Sequence, residues 1–183
     1  MIKKFSEFIE EGMWGSALKR SNSGKERKDD EANRIQEFID KQRNPESIYI
    51  TDDNVINSKK SIVISDTDLI NGKLPFKFGR VDGDFDCREC TSLTSLEGSP
   101  QKVDGLFDCH KCTQLETLKG APTYVGGDFY CSGCVSLESL EYIPEHVASW
   151  VICGGCKGKF KFEDVKNICD VKEKNFKSDD ILK

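Results

Sequence analysis

Apolar residues return at a fixed interval of 22 residues between positions 81 and 156. Five positions of this repeat are apolar in successive units: Val81, Val103, Val125 and Val147; Phe85, Phe107, Phe129 and Val151; Leu93, Leu115 and Leu137; Leu96, Leu118 and Leu140; and Pro100, Pro122 and Pro144. Stacked coils need such recurrence, because each coil buries its apolar residues against the same positions of the next coil. The pattern therefore predicts a repeat solenoid, mainly β, with coils of 22 residues.

Each unit contains one predicted strand and a turn. Phe85 and Cys87 are two residues apart, so on a strand both side chains point to the same side, into the coil. Cys90 falls in the turn after the strand, and Leu93 and Leu96 follow on the returning arc. The residues that alternate with Phe85 and Cys87 then point outward, so the repeat predicts an open sheet face.

This unit resembles a leucine-rich repeat, whose pattern runs L-x-L-x-x-N/C-x-L. Phe85 and Cys87 stand at the two strand leucines, and Cys90 stands at the Asn/Cys position. The unit departs from the family in one place, since the next apolar residue, Leu93, comes three positions after Cys90 rather than two. The closing Leu-x-Gly-x-Pro is similar to that of short bacterial and phage versions, in which the back of the coil is extended.

The segments on either side of the regular units predict terminal caps. The solenoid is expected to span residues 46–156, with degenerate N-terminal coils at 46–80 and four regular coils at 81–156. Terminal repeats of a solenoid are atypical because one of their faces must meet water. Residues 157–183 are expected to close the last coil, and the helical spacing of apolar residues over 163–174 predicts a helical C-terminal cap.

The segment before the solenoid, residues 12–45, is highly charged and predicts a linker followed by a helix. The helix is expected over Lys25–Lys41, with an apolar side that includes Ile35, Phe38 and Ile39. Such a side needs a partner surface, so this helix forms the N-terminal helical segment of the predicted fold.

Cysteine pairs with two intervening residues mark every regular coil. The eight cysteines concerned are Cys87, Cys90, Cys109, Cys112, Cys131, Cys134, Cys153 and Cys156. Their spacing lies inside the window of zinc ligands, and stacked coils about 4.8 Å apart would bring sulfurs of adjacent coils together. In the structural interpretation, the first cysteine of each pair is a core residue and the thiol of the second meets backbone groups. We favour the structural interpretation, because zinc would require the strand cysteines to leave the core and ionise.

Composition bounds the class of protein. The chain has 183 residues, a formal net charge of −5 and 37% hydrophobic residues, enough for one modest core and too polar for a membrane protein. The charged start of the chain does not match a secretory signal. Nine cysteines, eight of them at repeat positions, indicate a reducing compartment rather than a disulfide framework.

Catalytic motifs are not evident in the sequence. The two histidines, His110 and His146, do not accompany a recognised nucleophile motif. The glycines of Val125–Asp128 are followed by neither a helix nor a Lys-Ser/Thr pair, so they predict a tight turn rather than a phosphate-binding loop. We therefore expect no enzyme activity and no cofactor.

The outward strand positions form the candidate binding face. Its predicted residues are Asp84, Asp86, Asp108, His110, Asp128, Tyr130 and Trp150. Residues 81–146 carry 12 acidic and 4 basic side chains, a net charge of −8 that would repel nucleic acid phosphates. The face suits a basic protein partner, with Tyr130 and Trp150 as anchors. Alternatively, the face is a solvated surface and the C-terminal cap covers Trp150.

The first twelve residues contain Glu-Phe-Ile at Glu7–Ile9 and end in Ile-Glu-Glu-Gly. They resemble the capsid-targeting segment of the internal head proteins of T-even-like phages, in which Glu-Phe-Ile also occurs, while Ile2 is an extra residue. The head protease of that family cuts after Glu in Leu/Ile-x-Glu, and Ile9 and Glu11 before Gly12 fit this rule. The resemblance implies that residues 1–11 contact the head scaffold or protease and are removed after Glu11.

A plain amphipathic helix is the alternative for this segment, since Ile2, Phe5, Phe8 and Ile9 form one apolar stripe. Together the patterns favour a non-enzymatic interaction protein of a tailed phage, packaged in the head and processed, with the virion interior as its location. The alternatives are a repeat protein that acts on a host or defence protein in the host cytoplasm without packaging, and a zinc-stabilised adaptor. No contact with a membrane is expected.

Overall fold

The computed structural model describes residues 22–51 and 53–178. The predicted targeting segment, residues 1–11, lies outside the described residues. So does the predicted cleavage site, which comprises Ile9, Glu11 and Gly12. One helix, α1 (Asn22–Lys41), precedes the strands. The strands are β1 (Ile48–Ile50), β2 (Ile56–Ser58), β3 (Ile62–Val63), β4 (Phe78–Val81), β5 (Phe85–Asp86), β6 (Lys102–Val103), β7 (Phe107–Asp108), β8 (Tyr124–Val125), β9 (Phe129–Tyr130), β10 (His146–Val147), β11 (Val151–Ile152) and β12 (Phe176–Lys177).

The strands form two six-stranded sheets that run along a solenoid. The first sheet has the order β1-β2-β4-β6-β8-β10, and the second has the order β12-β11-β9-β7-β5-β3. Equivalent strands of successive coils pair in parallel and in register, as Phe85 with Phe107 and Phe107 with Phe129. Only β1 and β2 pair antiparallel among these strands. The predicted mainly-β solenoid with coils of about 22 residues is confirmed, and it has about six turns.

Each regular coil contributes two short strands rather than the single strand that the sequence predicts. In the first regular coil, β4 ends at Val81 and β5 begins at Phe85, so a three-residue turn separates the two sheets. Adjacent coils approach each other so closely at this turn that there is no room for a side chain. A Cβ added at Gly127 would lie only 2.9 Å from the backbone of Gly105 in the preceding coil. The glycines lie in a tight turn before the strand, as expected, and the close approach of the neighbouring coil is the reason that glycine is needed there.

The core lies between the two sheets and consists of ladders of identical residues. The rings of Phe85, Phe107 and Phe129 are fully buried and stack with centroids 5.5 Å apart between adjacent coils. The repeat leucines and the first cysteine of each pair are also buried. The inward assignment of the repeat positions is therefore confirmed.

Helix α1 covers the N-terminal end of the solenoid. Ile35, Phe38 and Ile39 are buried, and the Phe38 ring packs edge-on against the ring of Phe78 at 5.8 Å. After the helix, the Gln42 side chain pairs with the backbone of Val63: its Nε2 donates to the carbonyl, and its Oε1 accepts from the N–H, both at 2.9 Å. This amide replaces the missing neighbour of edge strand β3. The helix predicted at Lys25–Lys41 is confirmed.

Between residues 157 and 178 the solenoid is closed without an α-helix, so the helix predicted over 163–174 is wrong. The segment forms 3-10 helices at Phe162–Asp164 and Glu173–Asn175, then β12, which pairs with β11. The pairing of β12 supplies hydrogen bonds to the open edge of the second sheet, and these hydrogen bonds favour a strand over the helix that the apolar spacing indicates. Val165 and Cys169, two residues of that spacing, are nevertheless buried.

The open edge of the first sheet at this end is closed by a side chain. Asp170 Oδ1 accepts a hydrogen bond from the backbone N–H of Val147 at 3.1 Å, and the N–H of Asp170 donates to the carbonyl of Glu145 at 2.9 Å.

None of the described helices has the length and apolar character that crossing a bilayer requires.

Candidate interaction face of the second sheet

One row of outward side chains runs along the second sheet in register, and we call it the outer row. It consists of Val63, Asp86, Asp108, Tyr130, Ile152 and Lys177. The residues of the predicted binding face adjoin this row: Asp86, Asp108 and Tyr130 lie in it, Asp84, Asp128 and Trp150 precede the strands, and His110 follows one. The structure thus brings the seven predicted residues together on one side of the solenoid.

The carboxylates of the acidic half of the outer row, Asp86 and Asp108, contact Arg88 and His110. The Arg88 Nε atom lies 2.9 and 2.8 Å from the two carboxylate oxygens of Asp86. Asp108, predicted to be open to solvent, is only 4% exposed and has its Oδ1 2.8 Å from His110 Nδ1. The hydrogen bond with Asp86 raises the pKa of Arg88. Arg88 therefore balances one of these two negative charges, and burial keeps Asp108 largely out of contact with solvent.

Two further carboxylates join adjacent coils. The Leu106 N–H donates to Asp84 Oδ1 at 2.8 Å, and the Trp150 N–H donates to Asp128 Oδ1 at 3.0 Å. The Tyr130 hydroxyl donates to Asp128 Oδ2 at 3.3 Å. Burial and the neighbouring Asp128 charge raise the pKa of Tyr130. Asp84 and Asp128 thus stabilise the stacking of coils.

Trp150 is half-buried beneath the C-terminal segment. The Lys177 Nζ atom lies 4.1 Å from the centroid of the indole ring, within the range of a cation–π interaction. The Asn175 side chain donates to the carbonyl of Ser149 at 3.0 Å and fixes this segment beside the ring. The alternative in which the C-terminal segment covers Trp150 therefore describes the surroundings of this ring.

Three residues of the outer row, Val63, Ile152 and Lys177, are absent from the predicted binding face. Val63 is 51% exposed and extends the outer row at one end, and Lys177 extends it at the other. Val135, 55% exposed, follows the turn after β9. The alternation of Ile62 and Ile64 about Val63 is a signal that could have identified the first of them.

The cysteines form a ladder of thiol to backbone hydrogen bonds. The second cysteine of one coil donates to the carbonyl of the first cysteine of the preceding coil, and Cys112, Cys134 and Cys156 do so at 3.1 Å. Cys90 donates at 3.5 Å to Ile64, which replaces cysteine in the degenerate coil. The expected contact of these thiols with backbone groups is confirmed.

The surroundings of four repeat cysteines raise the pKa of their thiols and so favour the protonated form. A hydrogen bond with the thiol of the next coil, followed by burial, raises the pKa of Cys87, Cys109 and Cys131 well above the ordinary 9.0. Burial raises the pKa of Cys90 to about 12. Over residues 22–51 and 53–178, no group of three or more His, Cys, Asp or Glu side chains is arranged to hold a metal ion.

The raised pKa of Cys90 makes the stability of the fold sensitive to alkaline pH. The unfolded thiol ionises near pH 9.0 and the folded thiol near 12, so its contribution is complete below pH 9 and disappears as pH rises to 12. We expect the difference in stability between wild type and Cys90→Ser, which cannot ionise, to shrink over this range. Urea midpoints at pH 8, 9.5 and 11 measure it, and a constant difference would contradict the burial of this thiol.

Comparison of the chain with models of known protein families, with curated proteins and with solved structures gives no match. The solenoid, its outer row and the N-terminal sequence are therefore the grounds for a functional proposal.

Proposed function

We propose that the protein is a non-enzymatic interaction protein of a tailed phage, built from leucine-rich-repeat-like coils that present the outer row to a protein partner. The observation that carries the proposal is the contrast between the two sides of the second sheet. Inward positions repeat from coil to coil, as Phe107 and Phe129 do, whereas the adjoining outward positions change from Asp108 to Tyr130. Such a division is typical of repeat proteins, whose shared core carries a surface specific to one partner.

The partner is expected to be basic, with apolar contacts at its centre. The net charge of −8 over residues 81–146 attracts a basic surface and speeds its approach. Asp86 and Asp108 are already paired, so affinity comes mainly from the apolar half of the outer row, Tyr130 and Ile152. The same charge disfavours nucleic acid as the ligand of this face.

The location of the protein is inferred from its first twelve residues. Their resemblance to a capsid-targeting segment supports delivery into the phage head, where the head protease would remove residues 1–11 after Glu11. The mature chain would then begin at Gly12 and keep the whole solenoid, because α1 starts at Asn22. Binding of a protein partner would follow inside the virion or after delivery with the genome.

Mass spectrometry of purified virus particles tests this location. We expect a peptide that begins at Gly12 and the loss of residues 1–11. Replacement of Glu11 by Gln should leave the protein uncut, with Met1 still present. Absence of the protein from particles would overturn packaging and favour action on a host or defence protein in the infected cytoplasm. An intact Met1 end on the wild-type protein in particles would overturn its processing after Glu11.

A further inference from the structure

The turn that leads into the first sheet has a left-handed third residue in three successive coils. The same backbone hydrogen bond closes this turn each time, as from the Ile143 N–H to the Leu140 carbonyl at 3.0 Å. The third residues are Gly98, Gly120 and Tyr142, with φ angles of 100°, 91° and 68°. Glycine is the usual residue for such a backbone, whereas a bulky side chain adopts it at a cost.

The tyrosine also changes how the coils stack at this turn. A Cβ added at Gly120 would lie 2.5 Å from the Leu96 carbonyl oxygen, so a side chain does not fit between the preceding pair of coils. Between those two coils the Leu96 N–H donates to the Lys119 carbonyl at 3.0 Å. The equivalent Leu118 N–H donates to no residue that the structure describes. Tyr142 thus costs both a relaxed backbone and a hydrogen bond between coils, and such costs are typical of functional positions.

Tyr142 lies beside a second exposed apolar side chain. Tyr142 is 52% exposed and Ile168 is 46% exposed. The Asp170 N–H donates to the Glu145 carbonyl at 2.9 Å, and this bond sets the segment that carries Ile168 against the segment that carries Tyr142. We call the surface formed by Tyr142 and Ile168 the turn patch. An exposed apolar patch with a polar rim marks an interaction site.

Negative charge borders the tyrosine side of the turn patch. Glu141 precedes Tyr142, and Glu145 follows it three residues later; both are exposed, and neither forms an ion pair with a residue in the described part of the chain. Lys119, a cation of the preceding coil, is already engaged, with its Nζ 2.7 Å from Glu97 Oε1. An aromatic ring between carboxylates attracts a cationic group, through the cation–π interaction and through charge.

We propose that the turn patch binds a basic segment of a protein partner, with an Arg or Lys side chain over the ring of Tyr142. Glu141 and Glu145 balance the charge of that side chain, and an apolar residue of the segment contacts Ile168. The exposed Lys166, two residues before Ile168, repels a second cation on that side. The patch lies outside the second sheet, so the inference goes beyond the proposed function and does not depend on the outer row.

Tyr142→Gly tests whether the tyrosine is held at a cost to the fold. We expect its urea midpoint to rise above that of the wild type, because glycine adopts the left-handed backbone without strain and the lost side chain is largely exposed. Tyr130→Gly is the matched control and should lower the midpoint, since Tyr130 lies in strand β9, where glycine is unfavourable. A midpoint of Tyr142→Gly below that of the wild type would overturn the inference.

A displayed library of random peptides, selected against the full chain, is the binding probe. We expect a class of peptides with Arg or Lys beside an apolar residue, which bind Tyr142→Gly at least about 10-fold more weakly than the wild type. The charge reversal Glu141→Lys with Glu145→Lys should weaken the same peptides. The control in the outer row, Tyr130→Ser with Ile152→Ser, should change their affinity less than about 2-fold.

A selection that yields no peptide sensitive to Tyr142→Gly would overturn the inference. If its peptides instead lose affinity to the outer-row control, the proposed function stands without the turn patch, and if they lose affinity to neither, both fall. A wild-type dimer that dissociates in Tyr142→Gly, observed by size-exclusion chromatography, would mean that a second copy covers the patch and would also overturn the inference. Ile168→Ser repeats each comparison without altering a turn.

Discussion

Replacing Phe107 with alanine is expected to lower the free energy of unfolding by about 3–5 kcal/mol. The ring is fully buried and stacks between the rings of Phe85 and Phe129, with centroids 5.5 Å away on both sides. The cavity left behind cannot collapse, because the coils above and below are held apart by the parallel pairing of β7 with β5 and β9. Urea denaturation followed by circular dichroism measures the loss.

Val135→Ala is the control for this truncation, since its side chain is 55% exposed and its loss should change stability by less than about 0.5 kcal/mol. A loss below about 1 kcal/mol for Phe107→Ala would show that the phenylalanine ladder does not hold the coils together.

Replacing Phe38 with alanine is expected to have a comparable effect, about 3–5 kcal/mol, although Phe38 lies outside the coils. Its ring is 3% exposed and packs edge-on against Phe76 and Phe78 at 5.4 and 5.8 Å. Loss of this contact loosens α1 and uncovers the apolar end of the solenoid, so the variant should also form larger species. Denaturation together with size-exclusion chromatography measures both effects.

Glu37→Ala provides the matched control, because Glu37 is an exposed neighbour on the same helix. An unchanged midpoint and elution volume for Phe38→Ala would mean that the solenoid does not depend on its helical cover.

The sequence was most informative where the same residue recurs. The ladders that contain Phe107 and Leu115 could be predicted because every coil buries its apolar residues against the equivalent residues of its neighbours. The strands of the first sheet could not be predicted in the regular coils, because a two-residue strand such as Lys102–Val103 is too short to show alternation. The prediction for the C-terminal segment was wrong for a different reason. The apolar spacing of this segment fits a helix, but the exposed edge of β11 offers hydrogen bonds that favour a strand.

The candidate site was predictable in outline and not in detail. Strand alternation placed Asp108 and Tyr130 on the outward side of the sheet, as the register shows. The pairing of Asp108 with His110 depends on side-chain directions within the coil, and the bond from the Leu106 N–H to Asp84 depends on the stacking of two coils. Neither contact has a signature in a single repeat, so charge counted along the chain overstates the charge available to a partner.

The side chains of Gln42 and Asp170 occupy backbone positions where a further strand would otherwise pair. One consequence is that the number of coils can change without any change in the contacts that close the two ends of the solenoid. A coil of 22 residues is a unit that can be gained or lost between these two residues while both ends keep the same closing contacts. The surface offered to a partner can thus change during evolution in steps of one coil, about 5 Å each, without creating an exposed edge on which molecules would polymerise.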